Sequence, residues 1–136
     1  MRFCVCYYHV VRATHFRAPM ITPAVETLIF EAIRRQSEEL NSPVLAINGT
    51  EDHVHVAVSI STNVAAAQWI QYAKGVSAHD VNERYPDLET RFQWQSSYGI
   101  LTFGAKNLNT VIDYIQRQKE HHPRNTVQPY LERMEE

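Results

Sequence analysis

HVHVAVSI, residues 53–60, alternates between branched aliphatic side chains and polar or small ones. This alternation predicts a β-strand, because successive side chains of a strand point to opposite faces of the sheet. One face of the strand would be wholly aliphatic, with Val54, Val56, Val58 and Ile60. The other face would present His53, His55, Ala57 and Ser59. The strand therefore predicts a sheet with one packed face and one face that carries two histidines.

The segments before this strand predict a hairpin partner, a helix and another strand. Residues 44–48 form a second strand-like run, joined to residues 53–60 through a turn at Gly49. Thr22-Pro23 is typical of a helix start, with threonine as the N-cap and proline at the first helical position. That helix should end at the Asn-Ser-Pro run of residues 41–43, and a strand over residues 2–11 precedes it.

Downstream, we expect a second helix from Asn63, a strand or short irregular pair over residues 92–103, and a last helix. The last helix should run from about Asn107 to His122, since Pro123 disfavours helical geometry in the residue before it. The order β-α-β-β-α-β-α predicts an α+β fold of the ferredoxin-like, split βαβ type. We expect an antiparallel sheet with two helices on one face, and an additional C-terminal helix, which carries a tyrosine, elsewhere.

Length and composition indicate one domain that is not embedded in a membrane. The 136 residues suffice for a single hydrophobic core, so we expect one domain over residues 1–136 with residues 129–136 as a loose polar tail. No apolar stretch approaches the roughly 20 residues of a membrane span, and the N-terminus lacks a signal-peptide pattern. We therefore expect a cytoplasmic protein with no membrane partner.

The charge balance argues against a broad nucleic-acid-binding surface but allows a local one. The net charge is −2 and the sequence pI is about 6.4, which is not typical of a basic, DNA-coating protein. Residues 1–20 nevertheless contain Arg2, Arg12 and Arg17 and no acidic residue. A basic patch is therefore compatible with this weakly acidic chain.

Two pairs of residues are candidates for chemistry. His53 and His55 would have Cβ atoms about 7 Å apart on one strand face, close enough for both rings to reach one divalent ion. The same pair also fits a half-solvated strand, so alone it is a weak signal. In the last helix, Tyr114 and Gln118 stand at i and i+4 on one face, where a tyrosine is most often a packing residue.

Four short motifs together resemble one enzyme family. They are Asp52-His53-Val54-His55, Lys74-Gly75, WQSSYG at residues 94–99 and YIQRQ at residues 114–118. Their order and spacing resemble the single-tyrosine HUH transposases, in which two histidines flank one hydrophobic residue and a later helix carries a Tyr-Ile-x-x-Gln motif. The end of the last helix is most similar to the REP-associated tyrosine transposases and their insertion-sequence relatives. The resemblance covers about residues 7–124.

The resemblance implies an activity and a set of site residues. Tyr114 would be the nucleophile that cuts single-stranded DNA and forms a 5′-phosphotyrosine intermediate, so that the strands can be rejoined. His53, His55 and Gln118 would hold a divalent metal, Mg²⁺ or Mn²⁺. The DNA would be a hairpin at the end of a mobile or repeat element. Relatives of this family also imply a homodimer, in which the Tyr114 helix could serve the metal site of the partner chain.

Further residues are candidates for supporting roles at the metal or for binding DNA. Asp52 could orient His53, and Lys74 could meet a phosphate beside Gly75. A helix C-terminus also favours histidine through its dipole, which is a plain explanation for a histidine at the end of the last helix. The complete set of supporting candidates is Asp52, Lys74, Arg12, Arg117, His121 and His122. Trp94 and Tyr98 could stack on unpaired bases or pack in the core.

Two other kinds of protein are also compatible with these motifs. One is a non-catalytic module of the same fold that binds a single-stranded DNA or RNA hairpin, for example a domesticated copy. The other is a small metal-sensing or structural ferredoxin-like dimer. The sequence argues against the binding module, because binding alone requires neither Tyr114 nor the two histidines. It argues against the metal-sensing or structural dimer, because that function gives the pairing of Tyr114 with Gln118 no role.

Overall fold

The protein has four strands and four helices in a computed structural model that describes residues 6–121, apart from the side chain of His121. The strands and helices follow the predicted order, except that the last helix is divided in two. They are β1 (Tyr7–Ala13), α1 (Pro23–Glu39), β2 (Val44–Gly49), β3 (His53–Ser59), α2 (Ala66–Arg84), β4 (Gly99–Phe103), α3 (Leu108–Gln116) and α4 (Gln118–His121).

All strand pairs of the sheet are antiparallel, and the strand order is β2-β3-β1-β4. The two central strands, β1 and β3, pair so that His9 lies opposite Ala57 and Val11 lies opposite His55. This order is that of a split βαβ unit, because β3 lies between β1 and β2, the two strands that α1 connects. The predicted α+β, ferredoxin-like fold is confirmed.

One face of the sheet packs against α1 and α2, as the valine face of β3 predicts. α1 begins as expected, since the Thr22 hydroxyl accepts a hydrogen bond from Val25 N and Pro23 occupies the first helical position. The buried core on this face combines the aliphatic side of β3 with the inner stripes of both helices. Its largest members are Trp69, Phe92 and Trp94.

The opposite face of the sheet is covered by α3. Val111 and Ile115 of this helix pack on Ala46 of β2 and Ala57 of β3, in a second, smaller core. Small residues at the two strand positions let the helix approach the sheet closely. The additional helix therefore lies on the face that carries His53 and His55, while the first two helices share the other face.

Several boundaries differ from those predicted. β1 extends to Ala13, and the predicted residues 2–5 lie outside the described part of the chain. α2 begins at Ala66 rather than Asn63, because a turn closed by Val64 N and Ser61 O precedes it. The segment 92–103 is the short irregular pair: an isolated bridge between Trp94 and Thr14, followed by β4.

The predicted single helix over residues 107–122 is wrong in one respect. It is broken at Arg117, which caps the end of α3, and α4 starts at Gln118. Residues 122–136, including the predicted polar tail, lie outside the described part. Within residues 6–121, no helix has both the length and the apolar character of a membrane span, and the cytoplasmic location stays a prediction.

Candidate active site

His53 and His55 form the base of the site, at the start of β3. Their alternation with Val54 turns both imidazoles to the face covered by α3, and the two ring centroids are 5.0 Å apart. His53 is 1% exposed and His55 is fully buried. The alternative interpretation of the pair, a half-solvated strand face, is therefore excluded, because α3 covers this face. Two buried imidazoles require hydrogen-bond partners within the protein, because they cannot exchange hydrogen bonds with bulk water.

The Nδ1 atom of His53 is held by two oxygen atoms of the turn that precedes β3. It lies 2.7 Å from Asp52 Oδ1 and 2.9 Å from Thr50 Oγ1. Partial burial alone would raise the pKa of Asp52, but the hydrogen bond and charge of His53, with Thr50 and Arg17, lower that pKa below its usual value. Asp52 is thus a carboxylate at neutral pH and accepts the Nδ1 proton of His53, leaving Nε2 as the nitrogen that can ligate a metal.

His9 is a site residue that the sequence analysis missed. It lies in β1, one strand away, and its Nε2 is 2.8 Å from Nδ1 of His55. Its ring stacks on that of His55 with centroids 5.0 Å apart, and it is 1% exposed. The usable signal was that His9 and Val10 face opposite sides of a strand, but only the pairing register of β1 with β3 brings His9 to His55.

Tyr114 lies above the histidines of its own chain. Its ring centroid is 6.0 Å from that of His55 and 6.5 Å from that of His9, both in edge-on geometry. The apolar stripe of α3 sets this position, since Val111 and Ile115 fix the helix on the sheet. Tyr114 is 5% exposed, so its side chain is buried between α3 and the sheet. The tyrosine and the two histidines are therefore neighbours within one chain.

Gln118 completes the group despite the break in the last helix. Its Nε2 donates to the carbonyl oxygen of Tyr114 at 3.3 Å, the acceptor that the Gln118 backbone N–H would have in a continuous helix. The side chain therefore replaces the lost backbone bond. Gln118 is fully buried, and its amide oxygen is the atom that can serve as a metal ligand.

The chain after the helix break is held by polar contacts to β2. Asn48 Nδ2 donates to Gln116 O at 2.9 Å, and Asn48 Oδ1 accepts from Lys119 Nζ at 2.8 Å. Lys119 Nζ also lies 2.9 Å from Glu26 Oε2 and donates to Gly49 O at 3.1 Å. These contacts dock both sides of the break on the sheet edge, and they place Gln118 over the histidines.

The donor set of the site fits a divalent metal bound by two imidazoles and an amide. In each histidine Nδ1 contacts another side chain of the same protein, His9 for His55 and Asp52 for His53, so a metal would be ligated through Nε2, with Gln118 Oε1 as the third donor. Among residues 6–121, no cluster of three or more His, Cys, Asp or Glu residues could hold a metal. The candidate ligands are not a cluster of that kind, because they consist of two histidines and the amide of Gln118.

The other predicted site residues are distributed over the molecule. Arg117 is half exposed and pairs with Glu120 at 2.8 Å, which raises its pKa. Arg12 and Lys74 lie together on the opposite face of the sheet. Trp94 is buried and donates its indole N–H to Ser77, so it is a core residue. The side chain of His121 and all of His122 lie outside the described part.

Comparison with known proteins identifies the family. The family described as "Transposase IS200 like" matches residues 3–118. The transposase of insertion sequence IS200 from Salmonella typhimurium is 27% identical over 119 residues, which cover 85% of this chain and 78% of that protein. The ISDra2 transposase TnpA from Deinococcus radiodurans is 24% identical over 117 residues, covering 83% of this chain and 84% of that protein.

Two solved structures have the same fold. A transposase structure from Deinococcus radiodurans superposes with a TM-score of 0.71 at 21% identity, covering 86% of this chain and 93% of that one. A REP-associated tyrosine transposase, solved bound to a REP hairpin, has a TM-score of 0.63 at 16% identity, covering 90% of this chain and 72% of that one. Because the family match spans most of the sequence and the fold agrees, this chain belongs to the IS200-like transposase family.

Proposed function

We propose that this transposase is a metal-dependent endonuclease and strand transferase that acts on single-stranded DNA through a 5′-phosphotyrosine at Tyr114. The observation that carries the proposal is the position of Tyr114, 6.0 Å from the His55 ring and hydrogen-bonded through its carbonyl to Gln118. A nucleophile, two imidazoles and an amide meet on one face of the sheet. A tyrosine that served only packing would need none of these partners.

In the proposed reaction, Tyr114 Oη attacks the phosphorus of a phosphodiester. The new Tyr–O–P bond forms as the P–O3′ bond breaks, and the leaving oxygen takes up a proton to become a free 3′-OH. A second 3′-OH can later attack the phosphotyrosine and release Tyr114. Because each step exchanges one phosphate ester for another, rejoining needs no external energy source.

The remaining residues position the site. A divalent ion, Mg²⁺ or Mn²⁺, held by His53, His55 and Gln118 would withdraw charge from a phosphate oxygen and so ease nucleophilic attack. Asp52 and His9 each engage the Nδ1 atom of one ligating histidine, which fixes ring orientation and tautomer. Lys119 and Asn48 hold the segment that carries Gln118.

We further propose that the substrate is a single-stranded DNA hairpin from the end of a mobile or repeat element, and that the chain acts as a homodimer. The hairpin substrate is supported by the REP-associated relative, which was solved with a REP hairpin. The second candidate function is a hairpin-binding module without chemistry. It is favoured by the burial of Tyr114, which is 5% exposed, because a nucleophile must reach the phosphate that it attacks.

A labelled hairpin distinguishes the two functions. The purified protein is incubated with single-stranded hairpin oligonucleotides taken from the DNA that flanks the gene, with Mn²⁺ or with EDTA, and run on a denaturing gel. The proposal predicts a Mn²⁺-dependent covalent band that contains a label placed 3′ of the cleavage site. A label placed 5′ of that site should leave with the free 3′-OH fragment. Tight binding without any covalent band would establish the binding module instead.

A further inference from the structure

Arg12 is a buried cation that the proposed chemistry does not use. It lies in β1, on the face that packs against α1 and α2, whereas Tyr114 lies on the other face. Arg12 is 8% exposed, and its guanidinium carbon lies 5.2 Å from the centre of the Tyr98 ring. Contact with an aromatic face stabilises a guanidinium, but it supplies no hydrogen-bond acceptor for the N–H groups, which point outward in the plane of the guanidinium.

The guanidinium lacks polar partners in the described structure. Its Nε and Nη1 atoms are buried without a hydrogen-bond acceptor, and no carboxylate of residues 6–121 forms an ion pair with the guanidinium. Burial lowers the pKa of Arg12 to about 10, so the side chain still carries its charge at neutral pH. A buried charge without a counter-charge is costly, and a bound anion would reduce this cost.

Arg12 borders a cavity of about 30 Å³ between the sheet and α2. Lys74, which is half-buried, lines the same cavity, and no aspartate or glutamate does. The indole N–H groups of Trp69 and Trp94, which also line it, donate to serine hydroxyls. The cavity therefore combines two cationic side chains with indole groups that are already hydrogen-bonded, a lining that favours a small anion.

We propose that the Arg12–Lys74 cavity is an oxyanion site of the phosphate class, separate from the Tyr114 centre. The cavity volume is close to that of one water molecule, so one phosphate oxygen would enter toward Arg12 while the rest of the group stays at the mouth near Lys74. A nucleobase is too large for this space. The phosphate could belong to a DNA backbone, which rests on the proposed function, or be free inorganic phosphate.

Inorganic phosphate is the first probe. Melting temperatures are measured in phosphate and in chloride at matched ionic strength for the wild type, Arg12→Met, Lys74→Met and the control Arg91→Met, which removes an exposed arginine. At phosphate well above its dissociation constant, the wild type and Arg91→Met should gain roughly 3–6 °C. Arg12→Met should lose this gain and Lys74→Met should reduce it, while general stabilisation by excluded salts affects all four alike.

A single-stranded oligonucleotide with abasic sugars is the second probe, because it presents backbone phosphates without bases. If the site takes DNA phosphate, Arg12→Met should lower the slope of log K against log salt by about one, and Arg91→Met should leave it unchanged. An unchanged slope together with a retained response to inorganic phosphate assigns the site to free phosphate. The measurement with inorganic phosphate is independent of the proposed function, so failure of DNA cleavage would not affect its interpretation.

Two results would overturn the proposal. One is a phosphate response that is equal in the wild type, Arg12→Met and Arg91→Met, which would mean that the cavity holds only water. The other result applies if Arg12→Met does not fold, and it uses Lys74→Met, in which methionine replaces a half-buried lysine without opening the core. A full phosphate response in Lys74→Met would then reject the site.

Discussion

Nε2 of His9 lies 2.8 Å from Nδ1 of His55, across the two central strands of the sheet. One of the two nitrogens must carry the proton between them. If His55 ligates a metal through Nε2, its Nδ1 carries that proton and His9 accepts it. Asp52 has the same relation to His53. Each proposed ligand is therefore fixed by its own partner, one a carboxylate and the other a neutral imidazole.

Replacement of His9 should weaken metal binding without unfolding the protein. His9→Phe keeps the ring volume but removes the acceptor, so we expect the Mn²⁺ dissociation constant, measured by calorimetry, to rise roughly 10- to 100-fold. His9→Gln, which retains an acceptor, should recover part of the affinity. A purely structural role would instead lower the melting temperature of both variants and leave the affinity of the folded fraction unchanged.

The two histidines of β3 should be the main metal ligands. His53→Ala and His55→Ala should each abolish metal-dependent cleavage, and Gln118→Ala should weaken it, because an amide is a poorer ligand than an imidazole. His79→Ala is the matched control, since His79 lies on the exposed side of α2 with a side chain that is 68% exposed. Calorimetry that shows normal Mn²⁺ binding in the folded His53→Ala/His55→Ala double variant would reject the site.

The fold was predictable because its local signals agree with one another. The alternation of residues 53–60 assigned the valines and the histidines to the correct faces, and the Thr22-Pro23 pair located the start of α1. The break at Arg117 was not predictable, since Tyr114 to Gln118 keeps a helical pattern. Its stabilising contacts come from Asn48 and from Lys119 with Glu26, residues that are distant in sequence or lie beyond the break.

Site residues on different strands were harder to predict than those on one element. His9 joins the site only through the register of β1 with β3, which a single sequence does not reveal. The burial of Tyr114 depends on how α3 packs over the sheet. The surroundings of Arg12 were equally hard to predict. The alternation of β1 turns Arg12 to the core face, where an arginine is rare, but its cavity is formed by α2, which is distant in sequence.

Lys119 should contribute to the position of Gln118 more than to stability. Lys119→Met removes contacts to Glu26, Asn48 and Gly49. Because the Lys119 side chain is 57% exposed, the free energy of unfolding should fall by at most about 1 kcal/mol. The Mn²⁺ affinity should nevertheless fall several-fold, whereas the control Lys106→Met, on an exposed lysine, should change neither. Equal affinities in both variants would remove Lys119 from the site.

The active site should be built within one chain, even though a homodimer stays a prediction. Tyr114 lies beside His55 of its own chain, so a mixture of Tyr114→Phe protein with His53→Ala/His55→Ala protein should stay inactive. Light scattering first establishes whether a dimer forms, and subunit exchange is verified with a tagged chain. Recovery of cleavage in the mixture would show instead that the tyrosine serves the partner's histidines.

The central claim is that Tyr114 becomes covalently attached to DNA, and peptide mass spectrometry tests it most directly. Trypsin should release residues 107–117, NLNTVIDYIQR, in which Tyr114 is the only tyrosine. After incubation with a hairpin and Mn²⁺, then nuclease digestion, the account predicts that this peptide carries a nucleotide through its tyrosine. Tyr114→Phe should give no adduct while its unfolding free energy changes by about 1 kcal/mol or less, and the exposed-tyrosine control Tyr72→Phe should react normally. An adduct that persists in Tyr114→Phe, or a nucleotide on a different peptide, would contradict the account.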